Sequence, residues 1–213
     1  MAIDDLLDER EQSERVRAWL RGNGAGLLGG IVLGLAVIFC WRWWGQQRQA
    51  HQQAGYVAFD VAQKTIGDGK DLKAAQAQVD ALGQQGSAIY QHTARLLLAQ
   101  AQLKAGQPEQ AAASLALVPS DSPLARYAKV RRAQLLVAIG KPTEAADLLQ
   151  GDTDACALEA RGDALVQVGK LVQARDLYLK ALAGMDVASP QRGLITVKLI
   201  HAGGTPPEIP ESI

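Results

Sequence analysis

Between Arg21 and Arg42 the chain runs GNGAGLLGGIVLGLAVIFCW, twenty residues without a charge. At about 1.5 Å per helical residue, such a stretch reaches across a hydrocarbon core of about 30 Å. It is the strongest constraint on the fold, because backbone amides enter lipid only with their hydrogen bonds closed within a helix or a barrel. The span predicts one transmembrane helix over residues 22–44. A cleaved signal peptide is the rival reading, but its apolar core runs about 7 to 15 residues and ends at a small-x-small site. This stretch is longer and ends in Trp41, Arg42, Trp43 and Trp44, an interfacial aromatic belt, with Trp19 at its other end. An uncleaved signal anchor accounts better for both features.

Arg10, Arg15, Arg17 and Arg21 precede the span, whereas Arg42 and Arg48 follow it closely. The positive-inside rule then keeps residues 1–21 in the cytoplasm and translocates the remainder. Gly22, Gly26, Gly30 and Gly34 recur every fourth residue and line one helix face, where another membrane helix can approach. The general abundance of glycine in membrane helices is an equal account of the same pattern. Gly24, Gly26 and Gly29 also spell GxGxxG, but no strand precedes them and Gln49 stands where a ribose-binding acid belongs, so a dinucleotide site is rejected. Residues 1–21 are highly charged, with Leu6, Ser13, Val16 and Leu20 as a weak stripe. They read as a solvated or interface-lying helix, with a docking peptide as the alternative.

Composition narrows the rest. Lys plus Arg and Asp plus Glu number 22 each, and 48% of residues are hydrophobic, outside the range of disordered chains. The absence of net charge argues against a nucleic-acid binder, which needs surplus cations for phosphates. Two cysteines cannot staple a disulfide scaffold. Scarce aromatics, at 5%, with abundant Ala, Leu and Gln favour helices over sheets.

Beyond the span the chain repeats itself. Four times a glycine is followed five residues later by alanine: Gly69 and Ala74, Gly106 and Ala111, Gly140 and Ala145, Gly169 and Ala174, at intervals of 37, 34 and 29 residues. Each unit carries an apolar helical stretch on either side of its glycine. In EARGDALVQVGKLVQARDLYLKAL, Gly162, Leu165, Gly169, Ala174, Tyr178 and Ala181 fall at the spacing of a tetratricopeptide helix pair; Leu98, Gly106, Ala111, Leu115 and Pro123 fit the same template. Glycine ends the first helix at the turn, alanine lets the second pack close, and Pro108 or Pro142 is tolerated in a first turn. The first unit is degenerate, with Gln78 where a bulky core residue is usual. Such hairpins must stack to bury their apolar faces. The fold class expected is all-α: one N-terminal transmembrane helix, then a tetratricopeptide-like superhelix over 45–203. Ser189 and Pro190 read as the N-cap and first residue of a capping helix, QRGLITVKLIHAGG, followed by a fraying tail over 204–213.

Stacked hairpins present their first helices along a concave groove suited to peptides. The template places Tyr56, Phe59, Gln63 and Ile66, then Leu96, Gln100 and Leu103, then Tyr127, Val130 and Gln134, then Glu159 and Asp163, on that face. Burial between repeats is the other reading of these positions. Only Arg131 and Lys104 supply cations nearby, which argues against a clamp for a carboxylate tail. A catalytic inventory is missing: His51, His92 and His201 are scattered, and neither a metal-ligand spacing nor a GxSxG elbow is present. Asp152 and Asp154 read as a capping turn rather than a cation site. Cys40 and Cys156 lie too far apart to pair and read as packed thiols. No enzyme activity, cofactor or metal is expected.

Three stretches together, RVRAWLRGNGAGLLGGIVLGLAVIFCWRWW, the alanine-rich repeats, and RGDALVQVGKLVQARDLYLKAL, resemble the YfgM-type ancillary subunits of the bacterial SecYEG translocon. The most specific part is the anchor, with Asn23 and Gly24 ahead of Trp41, Arg42 and Trp44. The resemblance implies a single-pass inner-membrane protein with a periplasmic repeat domain and no catalytic residues. It implies association with the translocon and with a membrane-anchored periplasmic chaperone of the PpiD type related to prolyl isomerases; membrane lipid is the partner expected of the span itself. The acidic start IDDLLDEREQ and the tail after Gly203 fall outside the resemblance. The function expected is a non-catalytic adaptor linking translocon and chaperone. The alternatives are a tether holding a cytoplasmic signalling protein, or a periplasmic scaffold for envelope or division machinery.

Overall fold

The computed structural model of the chain describes residues 2–85 and 88–207, and within the first helix the side chains of residues 15, 17–26, 28–48 and 53–68. The described residues form helices joined by turns and no strand, the all-α class expected. The chain divides after Gln53 into two compact units.

The first unit is the leading part of α1 (Ala2–Asp68). Proline first appears at Pro108, so nothing in this stretch breaks the backbone ladder. Its glycines weaken a helix in water by about 1 kcal/mol each relative to alanine, whereas in lipid an unmade backbone bond costs more than that. Among the described residues, α1 is the one helix long and apolar enough to cross a membrane. Leu28, Ile31, Val32, Leu33, Leu35, Val37, Ile38 and Phe39 are all exposed, so the helix lacks a protein core of its own around them. A Cβ added at Gly22, Gly26, Gly30 or Gly34 would meet nothing within 4 Å. At the C-terminal end of the span the Arg48 guanidinium lies 4.7 Å from the Trp44 ring centroid, a cation–π contact. The expected stripe through Leu6, Ser13 and Val16 involves side chains outside the described residues.

The second unit begins at Ala54. Residues 54–68 of α1 are followed by α2 (Leu72–Leu82), a 3-10 turn (Gly83–Gln85), α3 (Ala88–Lys104), α4 (Pro108–Ala116), α5 (Ala125–Ala138), α6 (Pro142–Leu148), α7 (Ala155–Gln167), α8 (Leu171–Ala183) and α9 (Gln191–His201). Gly69, Gly106, Gly140 and Gly169 sit at the four hairpin turns with φ of 62°, 73°, 78° and 80°. That left-handed region is inexpensive only for glycine. In the last three turns the following residue donates its N–H back to the helix, Gln107 to Gln102 O at 2.9 Å, Lys141 to Leu136 O at 2.8 Å and Lys170 to Leu165 O at 2.9 Å. These are Schellman closures, satisfying carbonyls that a helix end leaves open. Pro108 and Pro142 then open α4 and α6 in the first turn, where no N–H is needed. Ala111, Ala145 and Ala174 have no exposed surface, as close packing of the second helix requires.

The first hairpin departs from the expected register. Asp71 is the N-cap of α2, its carboxylate accepting from Ala74 N at 2.9 Å, so two residues separate Gly69 from α2 where one suffices in the other turns. The insertion moves every inward position on by one. The fully buried alanine is therefore Ala75 rather than Ala74, and the bulky core position four residues later falls on Val79 rather than Gln78. The unit that looks degenerate in sequence has an ordinary core.

That core joins Ala62 and Ile66 of α1 to Ala75, Val79 and Leu82 of α2 and to Ala94 and Leu98 of α3. A larger core runs from Val130 of α5 to Leu199 of α9 and includes Leu149, Leu158, Tyr178, Leu182 and Ile195. Between the two, Ala99, Ala111, Leu115 and Ala128 form a small cluster. Beside it Ser114 Oγ donates to Gln102 Oε1 at 2.8 Å, which satisfies a buried amide.

At the end of the array Pro190, not Ser189, is the N-cap of α9, and no side-chain cap bond is made. Ser189 acts through its backbone, its carbonyl accepting from Arg192 N at 3.1 Å. Gly203 (φ 81°) and a bond from Gly204 N to Leu199 O at 2.9 Å close α9 as the earlier turns close theirs. Residues 204–207 have no regular structure, and the rest of the tail lies outside the described residues.

Candidate functional site

From α2 onward successive helices pack on their neighbours in chain order, and α5 also packs directly on α7; α3 and α5 do not close on each other in the same way. Between them is a hollow of about 540 Å³. Leu96, Leu97, Gln100 and Leu103 of α3 form one wall, Tyr127, Arg131, Gln134 and Leu135 of α5 the other, and Leu115 of α4 lies among the lining residues. The spacings i, i+4, i+7 on α3 and on α5 give each helix one continuous face toward the gap. Arg131 is tied to α5 itself: Nε donates to Tyr127 Oη at 3.1 Å, Nη1 donates to Gln134 Oε1 at 3.2 Å, and the guanidinium lies 5.4 Å from the Tyr127 ring centroid. A second hollow of about 460 Å³, lined by Gln63, Ile66 and Lys104 among others, shares Leu97 and Gln100 with the first.

The structure thus brings Leu96, Gln100, Leu103, Tyr127 and Gln134 together, with Gln63 and Ile66 in the adjoining hollow. Ile66 also belongs to the first core and is 6% exposed. Tyr56 and Phe59 instead meet Tyr90 of α3, Tyr56 edge-on with centroids 6.3 Å apart and Phe59 stacked at 5.3 Å. Val130 turns into the large core.

Glu159 and Asp163 of α7 have a different fate. Lys198 of α9 reaches over both, its Nζ donating to Glu159 Oε1 at 2.6 Å and to Asp163 Oδ2 at 2.7 Å. Asp163 accepts a further bond from the Tyr178 hydroxyl at 2.8 Å. Burial lowers the Lys198 pKa, but the hydrogen bonds and charges of Asp163 and Glu159 outweigh it, and the ammonium is held above its ordinary value. Burial first, then the bond to Asp163, pushes the Tyr178 phenol well above its usual range. Gly162 completes the arrangement: a Cβ there would lie 2.5 Å from Tyr178 Cε1, so only glycine admits the ring. Tyr90 and Lys198 are the residues that repeat spacing alone does not mark.

Other expected sites resolve into structural roles. Asp154 is the N-cap of α7 but makes no side-chain cap bond. It pairs with Arg126 at 3.6 Å, and Asp152 pairs with Lys129 at 2.7 Å, so both acids tie the α6–α7 loop to α5 instead of capping. Cys40 and Cys156 are unpaired and exposed rather than packed. Partial burial, then the charges of Asp154 and Glu159, raise the Cys156 pKa and disfavour the reactive thiolate. Among the described residues, no group of three or more His, Cys, Asp or Glu side chains could hold a metal ion.

Residues 17–203 match the family model of the tetratricopeptide repeat-like domain, through both the apolar span and the hairpins. The chain belongs to this family. The tetratricopeptide repeat-like chain is also similar to the ancillary SecYEG translocon subunit of Escherichia coli strain K12, at 27% identity over 179 residues, 80% of this chain and 85% of that protein. No solved structure matches it. Within the tetratricopeptide repeat-like array, the α3–α5 hollow offers leucines for apolar side chains and amides for peptide groups, the inventory of a binding surface.

Proposed function

We propose that this protein is a membrane-anchored, non-catalytic adaptor of the SecYEG translocon. The span over 22–44 holds the array at the inner membrane with residues 1–21 in the cytoplasm and residues 45–203 in the periplasm. The array binds a membrane-anchored chaperone of the PpiD type or emerging chains through the α3–α5 hollow, and the span contacts lipid and translocon. The observation that carries this reading is a family match running unbroken from residue 17 to 203, together with similarity to a translocon subunit over 80% of the chain. Confinement to one membrane raises effective concentration to about the millimolar range, so individually weak contacts suffice.

Photo-crosslinkers at Leu103 and Tyr127, with Val172 on the exposed face of α8 as control, test it in intact cells. The expected products are translocon or chaperone adducts at the two groove positions and none at Val172. Unrelated adducts at the groove, or the same adducts at all three positions, would exclude this use of the hollow. A reporter active only outside the cytoplasm, fused after residue 213, should be active; silence would reverse the topology.

A further inference from the structure

The polar edge of the α3–α5 hollow is electrically one-sided. No Asp or Glu lines either hollow among the described residues, while Arg131 and Lys104 stand on their rims. Helix α5 itself supplies the contrast. Its Arg126 and Lys129 are neutralised by Asp154 and Asp152, whereas Arg131 is held by neutral partners, the Tyr127 hydroxyl and the Gln134 amide. Two of the five guanidinium N–H groups are used in this way, and those left on Nη1 and Nη2 have no partner among the described residues. The two Nη2 N–H groups therefore stay available to donate to a carboxylate in charge-assisted hydrogen bonds. The contacts with Tyr127 and Gln134 order the side chain in advance, so binding costs less rotamer entropy than for a free arginine.

Resting on the groove reading above, we infer that the α3–α5 hollow is selective for acidic peptide segments: bulky apolar side chains fill the leucine-lined floor, and Arg131 binds an Asp or Glu of the same segment. Arg131 is the specificity-determining residue. A fatty acid offers the same combination of chain and carboxylate, but Gln100 and Gln134 would then line the hollow without amide partners, whereas a peptide backbone supplies both N–H and C=O groups to them.

The test uses the full-length protein in mild detergent. A phage-displayed library of random dodecapeptides is selected on the wild type, Arg131→Gln, Arg131→Lys and Leu103→Asp. Affinities of the winning peptides and their Glu→Gln counterparts follow by fluorescence anisotropy. The wild type should enrich leucine or phenylalanine together with Asp or Glu, and should bind the acidic peptide about five- to tenfold more tightly than its Gln counterpart. Arg131→Gln should bind the acidic peptide and its Gln counterpart equally, whatever its absolute affinity, and Arg131→Lys should restore part of the ratio. Apolar enrichment without acids, or an acidic preference that survives Arg131→Gln, overturns the charge selection and leaves the groove standing. No enrichment, or enrichment unaffected by Leu103→Asp, overturns the groove and the selection together. Displacement by dodecanoate at peptide-like concentration overturns the peptide assignment.

Discussion

Helix α5 shows one face to an open hollow and the other to a closed core, and the contrast separates surface that stays open from surface spent on stability. Toward α3 it presents Tyr127, Arg131 and Gln134, exposed and without a helix packed on them. Toward α7 it presents Val130, Ala133 and Leu136, buried in the large core. At the α7 end the acids that the repeat pattern would leave facing a groove are covered by Lys198 of α9. Apolar surface at the α3–α5 gap stays open, whereas the acids further along are covered by the chain's own last helix.

The largest expected difference between the two regions is in core truncation. Leu199 is fully buried and anchors α9, so Leu199→Ala should cost about 2–5 kcal/mol in urea unfolding. A cost near zero would mean that α9 is not part of the cooperative core. Next comes Gly162→Ala, whose new methyl group meets the Tyr178 ring; displacement of the ring and its bond to Asp163 should cost about 1–3 kcal/mol. Circular dichroism melts of this variant beside Gly193→Ala, where a Cβ meets nothing within 4 Å, give the comparison; equal melts would place the ring elsewhere.

Smaller still is Lys198→Met, which leaves Glu159 and Asp163 facing each other. A dry pair broken in this way costs about 3–5 kcal/mol. These carboxylates keep 18% and 34% of their side-chain surface in water, so about 1–2 kcal/mol is expected, read as faster hydrogen exchange along α9. Both raised pKa values in this network act in the same direction at high pH. The unfolded lysine and tyrosine lose protons from about pH 10 upward while the folded ones retain theirs, so stability is complete below that and falls as pH rises. The Lys198→Met/Tyr178→Phe pair should flatten that alkaline decline in the urea midpoint; an unchanged slope would move its origin to other groups. The smallest effect belongs to the open face: Leu103→Ala should stay within about 0.5 kcal/mol of wild type and lose groove crosslinks, whereas a large loss of stability would mean that the hollow is core.

The turns were legible because they are local. A glycine that must adopt positive φ shows its identity in one residue, and Gly69, Gly106, Gly140 and Gly169 all do so. One inserted residue was not legible: Gly69 with Ala74 has the right spacing on paper, and only the capping bond from Ala74 N to Asp71 shows that α2 starts later and buries Ala75 and Val79. The face toward α3 and α5 was largely readable from helical period, which places Leu96, Gln100 and Leu103 on one side and Tyr127 and Gln134 on the other. The ends of that face were not, because Tyr90 closing on Phe59 and Lys198 closing on Glu159 join residues far apart in the chain.

Chain order alone carried the uncharged span, the helical class, the hairpin turns and, α2 apart, most of the side that each helix turns inward, since these depend on neighbours within a few residues. Whether an inward face meets another helix or remains open depends on distances between helices, which no local pattern encodes. Packing decided it: α5 and α7 approach closely and α9 covers the acids beside them, while α3 and α5 stand apart around Arg131 and its uncompensated charge.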